Sequence, residues 1–161
     1  MPIGIRDARP EDAAAACAVL RRSIVELCAA DHRHDPAILA DWLANKTVET
    51  VRSWIGQPGG SFMVAVETDT VLAVGSVADD GRIGLNYVSP DARFRGVSTA
   101  MLAAQERRAA ERGCGRCTLT STDTARRFYL ERGYVETGLP SGTFGTTSGY
   151  PMAKALPSSR T

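Results

Sequence analysis

The hydrophobic periodicity of this chain switches at Gln57-Pro58-Gly59-Gly60, from a run of helical segments to a run of strands, and that switch constrains the fold more than any other feature. In the stretch leading to it the apolar residues recur at helical spacing; in the stretch that follows, up to Val88, they alternate as in strands. Upstream, Ile3–Ala8 reads as a short strand closed by Arg9-Pro10. Pro10, Glu11 and Asp12 suit a first helical turn, and Ala16, Leu20, Ile24 and Leu27 carry the helix to about Ala30. Asp35-Pro36 predicts the start of a second helix with Ile38, Leu39, Trp42 and Leu43 inward. Thr47 caps a third, short helix with Val48, Val51 and Ile55 on one face.

Downstream, Ser61–Glu67 and Val71–Val77 read as a hairpin about Thr68-Asp69-Thr70, and Arg82–Val88 as a third strand after Asp79-Asp80-Gly81. Ser89-Pro90-Asp91 breaks it. A long helix is predicted over Arg95–Arg112 with Gly113 at its C-cap, then a strand at Cys117–Ser121. A helix at Asp123–Arg132 stopped by Gly133 follows, and two last strands at Tyr134–Leu139 and Pro151–Leu156. With 161 residues, no repeat and no linker, the pattern predicts one mixed α/β (α+β) domain over residues 1–157. Residues 158–161 are expected to be a frayed tail.

Composition narrows the function classes. Nineteen Lys and Arg against 18 Asp and Glu leave a formal charge of +1, which removes any strong drive toward nucleic acid. No apolar run approaches the ~20 residues of a membrane span, and Met1–Asp12 has no secretory pattern. A soluble, cytoplasmic protein without membrane or nucleic-acid partners is expected. Cys114-Gly115-Arg116-Cys117 has the spacing of zinc and redox sites, but no second ligand pair accompanies it, and His32 and His34 lie far upstream. It also follows a helix end instead of opening a helix. No metal is expected.

The stretch Val88-Ser89-Pro90-Asp91-Ala92-Arg93-Phe94-Arg95-Gly96-Val97-Ser98-Thr99 joins a strand to a long helix through two arginines, a glycine and two hydroxyl residues. The first N–H groups of a helix lack partners within it, and the macrodipole adds positive character, so such an end binds anions. Gly96 lets the backbone approach a phosphate, and Arg93 and Arg95 can add charge-assisted bonds. Neither a Walker P-loop nor a G-x-G-x-x-G fingerprint is present.

Arg93-x-x-Gly96-x-Ser98, after a strand ending Val88-Ser89-Pro90, resembles the diphosphate motif of the GNAT superfamily of N-acetyltransferases, with Ser98 where Gly or Ala is usual. Ala125-x-x-Phe128-Tyr129-x-x-x-Gly133-Tyr134 resembles the superfamily's second cofactor motif, with Thr122 where many relatives have Asn. The resemblance runs from about Ile3 to Leu156. It implies a GNAT-like twisted mixed sheet of six or seven strands with helices on both faces, splayed between the strands at 82–88 and 117–121 to admit acetyl-CoA.

By that resemblance the diphosphate would sit on Arg93, Phe94 and the amides of Arg95, Gly96, Val97, Ser98 and Thr99, and the pantetheine would run beside Asn86, Tyr87 and Val88, with Thr122 near its arm. The implied reaction is direct attack of a primary amine, that of a small molecule in keeping with the chain's compactness, on the acetyl thioester in a ternary complex. Val88 would offer its backbone N–H to the oxyanion, and Tyr129 a hydrogen bond to the departing sulfur. Where many members place a carboxylate this chain has Asn86, which leaves Glu26, His32, His34 and Asp35 as candidate bases, with Asp31 and Glu67 behind them. Alternative readings are a non-catalytic acyl-CoA sensing module and a transferase acting on a protein N-terminus or lysine. A homodimer through the Ser141–Gly149 loop is a further expectation.

Overall fold

The structure, a computed structural model, describes residues 2–142 and 149–157. The expected tail at 158–161 and most of the Ser141–Gly149 loop lie outside the described residues. Among the described residues seven strands and six α-helices run in the order β1 (Gly4–Asp7), α1 (Ala13–Leu27), α2 (Ala29–His32), α3 (Pro36–Leu43), α4 (Val48–Trp54), β2 (Gly60–Glu67), β3 (Thr70–Ala78), β4 (Ile83–Val88), α5 (Val97–Glu111), β5 (Arg116–Ser121), α6 (Asp123–Glu131), β6 (Val135–Glu136) and β7 (Tyr150–Ala155). The mixed α/β class read from the sequence is the one observed.

Two antiparallel sheets form, in the orders β1-β2-β3-β4 and β5-β7-β6. They meet through one parallel bridge, Arg82 with Thr118. Alternation along β2 sends Met63 and Ala65 to one face and Phe62 and Val64 to the other. The first pair packs with Met101 and Leu102 of α5, the second with Ala13, Ala16 and Leu20 of α1. Helices therefore cover both faces. Gly75 on β3 permits the close approach of α5, because a Cβ there would fall 2.6 Å from the Met101 sulfur.

Local chemistry accounts for most boundaries. Asp35 accepts from the N–H groups of Ala37 and Ile38, and Thr47 from that of Thr50, as their cap positions require. Two boundaries differ from the sequence reading. The first helix ends at Leu27 instead of about Ala30. There the His32 ring turns back, with Nε2 2.9 Å from the Ile24 carbonyl, which it shares with Cys28 N–H, and 3.2 Å from that of Val25. The predicted strand Tyr134–Leu139 shrinks to Val135–Glu136, since Tyr134 is fully buried with its hydroxyl on Glu106 while Leu139 is almost wholly exposed. All four cysteines are free. Among the described residues no group of acids, histidines and cysteines could hold a metal ion, and no helix is long and apolar enough to cross a membrane.

Candidate active site

Beyond the Arg82–Thr118 bridge, β4 and β5 do not pair, so the two sheets open as a wedge. A cleft of about 610 Å³ occupies its mouth, between β4, the start of α5, the end of α1 and one side of α6. That volume lies within the range of small-molecule sites. A narrower gap of about 50 Å³ continues between Asn86 and Tyr87 on β4 and Thr120 and Ser121 on β5.

Register decides which backbone groups face the wedge. Ala73 lies opposite Val88, and Ser89 N–H donates to Leu72 O at 2.7 Å. In an antiparallel ladder bonded and non-bonded pairs alternate, so the Val88 and Asn86 amides point away from β3 and toward β5. Both amide atoms of the Asn86 side chain are buried without a hydrogen bond of ordinary geometry to the protein.

The α5 end of the cleft is the turn singled out from the sequence. Phe94 (φ 63°) and Gly96 (φ 76°) both adopt left-handed conformations, a pairing that curls backbone N–H groups around a concavity. The first backbone bond into Gly96 comes from Ala100 N–H, so the amides of Val97, Ser98 and Thr99 have no partner within the helix. A Cβ at Gly96 would meet nothing within 4 Å; the glycine answers to the backbone angle and not to crowding. Val97 is buried and anchors the helix start. The exposed Phe94 ring lies beneath the Arg93 guanidinium, 4.6 Å from its centroid.

Tyr129 enters from α6, 6 % exposed, with its ring edge-on to Phe128 and Tyr134. Burial pushes its phenol up to about 12, with the nearby Asn86 amide pulling the other way. On β4 the Tyr87 phenol is pushed well up by burial, and Cys28 is held at about 12 for the same reason. The cleft therefore faces neutral hydroxyl, thiol and amide groups, with Arg93 and Arg132 as its charged side chains.

The structure gathers Asn86, Tyr87, Val88, Arg93, Phe94, Gly96, Val97, Ser98, Thr99, Thr122 and Tyr129 onto this one cleft. Arg95 is turned away: its guanidinium pairs with Glu67 on β2 at 2.5 Å. Thr122 reaches the cleft but spends its hydroxyl capping α6, accepting from Ala125 N–H. None of the four candidate bases lines it. Glu26 is an exposed partner of Arg22, and Asp35 is the cap of α3. His32 is fully buried, and its Nδ1 accepts from the His34 amide, so with Nε2 on two carbonyls both ring nitrogens are engaged. His34 is exposed, at a left-handed backbone position.

Sequence reasoning missed Thr124, Phe128 and Arg132. The Arg132 guanidinium lies 3.9 Å over the Phe128 ring, donates to the Phe128 carbonyl at 3.0 Å, and reaches Thr99 Oγ1 at 2.9 Å. The signal was available, because residues four apart on a helix share a face.

Asp31, demoted as a base candidate, holds α6 in place. Its carboxylate accepts from Asp123 N–H at 2.7 Å and from Thr124 N–H and Oγ1 at 3.1 and 2.5 Å. Asp31→Ala is expected to orphan these donors and cost about 2–3 kcal/mol. Chemical denaturation should show it as a lower midpoint with an unchanged slope; an unaltered midpoint would remove the capping role.

Residues 29–156 match the family model described as the acetyltransferase (GNAT) domain. The chain belongs to the GNAT acetyltransferase family. It is accordingly an acyltransferase. Among solved structures, a GCN5-related N-acetyltransferase from Rhodopseudomonas palustris aligns at 26 % identity over 97 % of both chains, with a TM-score of 0.84. The PaiA N-acetyltransferase of Thermoplasma acidophilum, solved with coenzyme A, aligns at 18 % identity over 97 % of this chain and 100 % of its own, with a TM-score of 0.83. The ribosomal-protein-S18-alanine N-acetyltransferase of Escherichia coli aligns at 16 % identity over 99 % and 97 %, with a TM-score of 0.72. The last two share the fold with this GNAT chain and say nothing of its acceptor. No curated protein matches the sequence.

Proposed function

We propose that this GNAT protein moves the acetyl group of acetyl-CoA to a primary amine of a small molecule by direct attack in a ternary complex. The observation that carries the reading is the convergence, on one cleft, of the unpartnered α5 amides, the outward-facing Val88 amide and the buried Tyr129. These residues fit the cofactor. The Val97, Ser98 and Thr99 amides with Arg93 and Arg132 suit a diphosphate, and the isolated Asn86 amide and the exposed edge of β4 suit the amides of a pantetheine arm.

Acetyl-CoA brings the activated acyl group; the chain brings position and electrostatics. The Val88 N–H faces the gap in which the thioester carbonyl would develop negative charge. Tyr129 stays protonated to about pH 12 and donates to the departing sulfur. Transfer of its proton to a thiolate of pKa ~8.5 would be uphill by roughly 3 to 4 pK units, so hydrogen bonding and not full protonation is its contribution.

Calorimetric titration with acetyl-CoA tests the reading. Wild type should bind in the micromolar range. Gly96→Asp, which places a carboxylate on the anion turn, should weaken binding at least ~10-fold, and Arg132→Ala several-fold. Absence of binding to the wild type would overturn the proposal.

A further inference from the structure

The acceptor must lose a proton in this reaction, and the chemistry of the cleft bears on which amine can do so. Neither the main cleft nor the gap behind it is lined by any aspartate, glutamate or histidine among the described residues. Residues 143–148 add none, since Thr143-Phe144-Gly145-Thr146-Thr147-Ser148 carries no ionisable side chain.

Acids on the surrounding elements are committed elsewhere. On α1 Glu26 pairs with Arg22, which also holds Asp91 from the turn before α5. On α6 Asp123 accepts from the Tyr150 hydroxyl, and Glu131 pairs with Arg127. Asp31 of α2 comes nearest, behind Thr124, and its carboxylate is occupied by two backbone amides and a hydroxyl at the α6 N-terminus. Of the remaining groups, the Cys28 thiol and the Tyr87 and Tyr129 phenols are held neutral by burial.

We infer that the acceptor of this cleft is an amine of α-amino basicity, which arrives already neutral, and not an ω-amine of the lysine or polyamine kind. The inference rests on the acetyl transfer proposed above. A neutral amine needs no external base. Its nitrogen forms the N–C bond as the C–S bond breaks, it sheds one proton, and the departing thiolate takes up one, so protons balance within the reaction. An ammonium must release a further proton before attack, and the cleft has no group to receive it. The Asn86 carboxamide oxygen, buried beside the Tyr129 phenol without a hydrogen bond of ordinary geometry, can accept an N–H from the neutral amine and cannot deprotonate a cation.

The size of the effect is set by the pKa gap. At pH 7 about 10 % of an α-amine of pKa ~8 is neutral, against ~0.04 % of an ω-amine of pKa ~10.4. The more basic amine is the better nucleophile once neutral, which returns part of this factor and leaves a preference of roughly tenfold or more at pH 7. That preference must narrow as pH rises toward 9, because the α-amine is by then ~90 % neutral and near its limit while the ω-amine is still gaining.

The test measures thiol release from acetyl-CoA with purified protein, using the amides of glycine, alanine, leucine and phenylalanine against a set of linear alkyl diamines, from pH 6.5 to 9.5. The expected result is higher kcat/KM for the amino acid amides at pH 7, following the ionisation of each amine, with the ratio falling as pH rises. Diamines preferred at pH 7 would overturn the inference, as would turnover of neither set by protein that binds acetyl-CoA. A shift of the acidic limb in Thr124→Val, which removes the hydroxyl between the cleft and Asp31, would overturn it too by showing that Asp31 receives the proton. Failure to bind acetyl-CoA at all is a different result, and counts against the transfer reading itself.

Discussion

Replacing Tyr129 by phenylalanine should lower kcat by about 10- to 100-fold while leaving the dissociation constant of acetyl-CoA within about twofold. The ring is 6 % exposed and packs edge-on against Phe128 and Tyr134, contacts that phenylalanine keeps. Only the hydroxyl is removed. A hydrogen bond to a group gaining negative charge contributes ~1.5–3 kcal/mol, and one realised mainly in the transition state appears in kcat and not in ground-state binding. The pH dependence carries its own sign. A phenol held at about 12 remains a donor throughout the accessible range, so Tyr129 imposes no alkaline fall in rate below roughly pH 11. An unchanged kcat in the phenylalanine variant would exclude the hydroxyl from the chemistry, and an alkaline limb near pH 9 that vanishes in it would show an acid of a different strength.

The second large effect is expected at the junction of the two sheets. Gly81 has φ +94°, and a Cβ built on it would lie against the Arg116 carbonyl oxygen at 2.3 Å, a backbone atom that cannot rotate aside. Its own carbonyl receives Thr118 N–H at 3.1 Å, next to the Arg82–Thr118 bridge. Gly81→Ala must therefore push the β3–β4 turn away from β5 at the point where the wedge is held shut. A left-handed alanine alone costs about 1–2 kcal/mol, and the displaced contact should bring the total to ~3–5 kcal/mol. Gly113→Ala is the natural comparison: its φ is +87°, but a Cβ there meets nothing within 4 Å, so only the conformational part applies. Thermal unfolding should separate the two by about 5 °C or more. Equal losses would mean that the sheet junction tolerates the added carbon.

The elements were legible where one local rule governed them. Asp35 and Thr47 cap the helices they precede, Gly113 and Gly133 take the left-handed angles that end a helix, and the alternation of β2 places its side chains on opposite faces. Legibility stopped where a distant group intervened. Nothing near Leu27 in sequence announces that the His32 ring will occupy the carbonyls ahead of it. The same ring is a candidate base by residue type, which is visible in the sequence, whereas its hydrogen bonds are not. Arg95 follows the same logic: two arginines flank the anion turn, and only the packing of β2 reveals that Glu67 claims one of them. The capping of α6 by Asp31 spans 92 residues, a pairing that no window along the chain contains.

The cleft draws its walls from two separate stretches of chain. Ser23, Leu27 and Cys28 are the wall residues before position 30, whereas every other wall residue lies after 85. Ion pairing of Arg22 with Asp91 and the grip of Asp31 on α6 tie the two stretches together. Mutational drift in the first stretch can thus reshape one side of the cavity while the anion turn and Tyr129 stay as they are. Such a division of the chain offers a short, nearly contiguous target for recombination or directed evolution, in which one wall of the cleft is varied and the other is inherited intact.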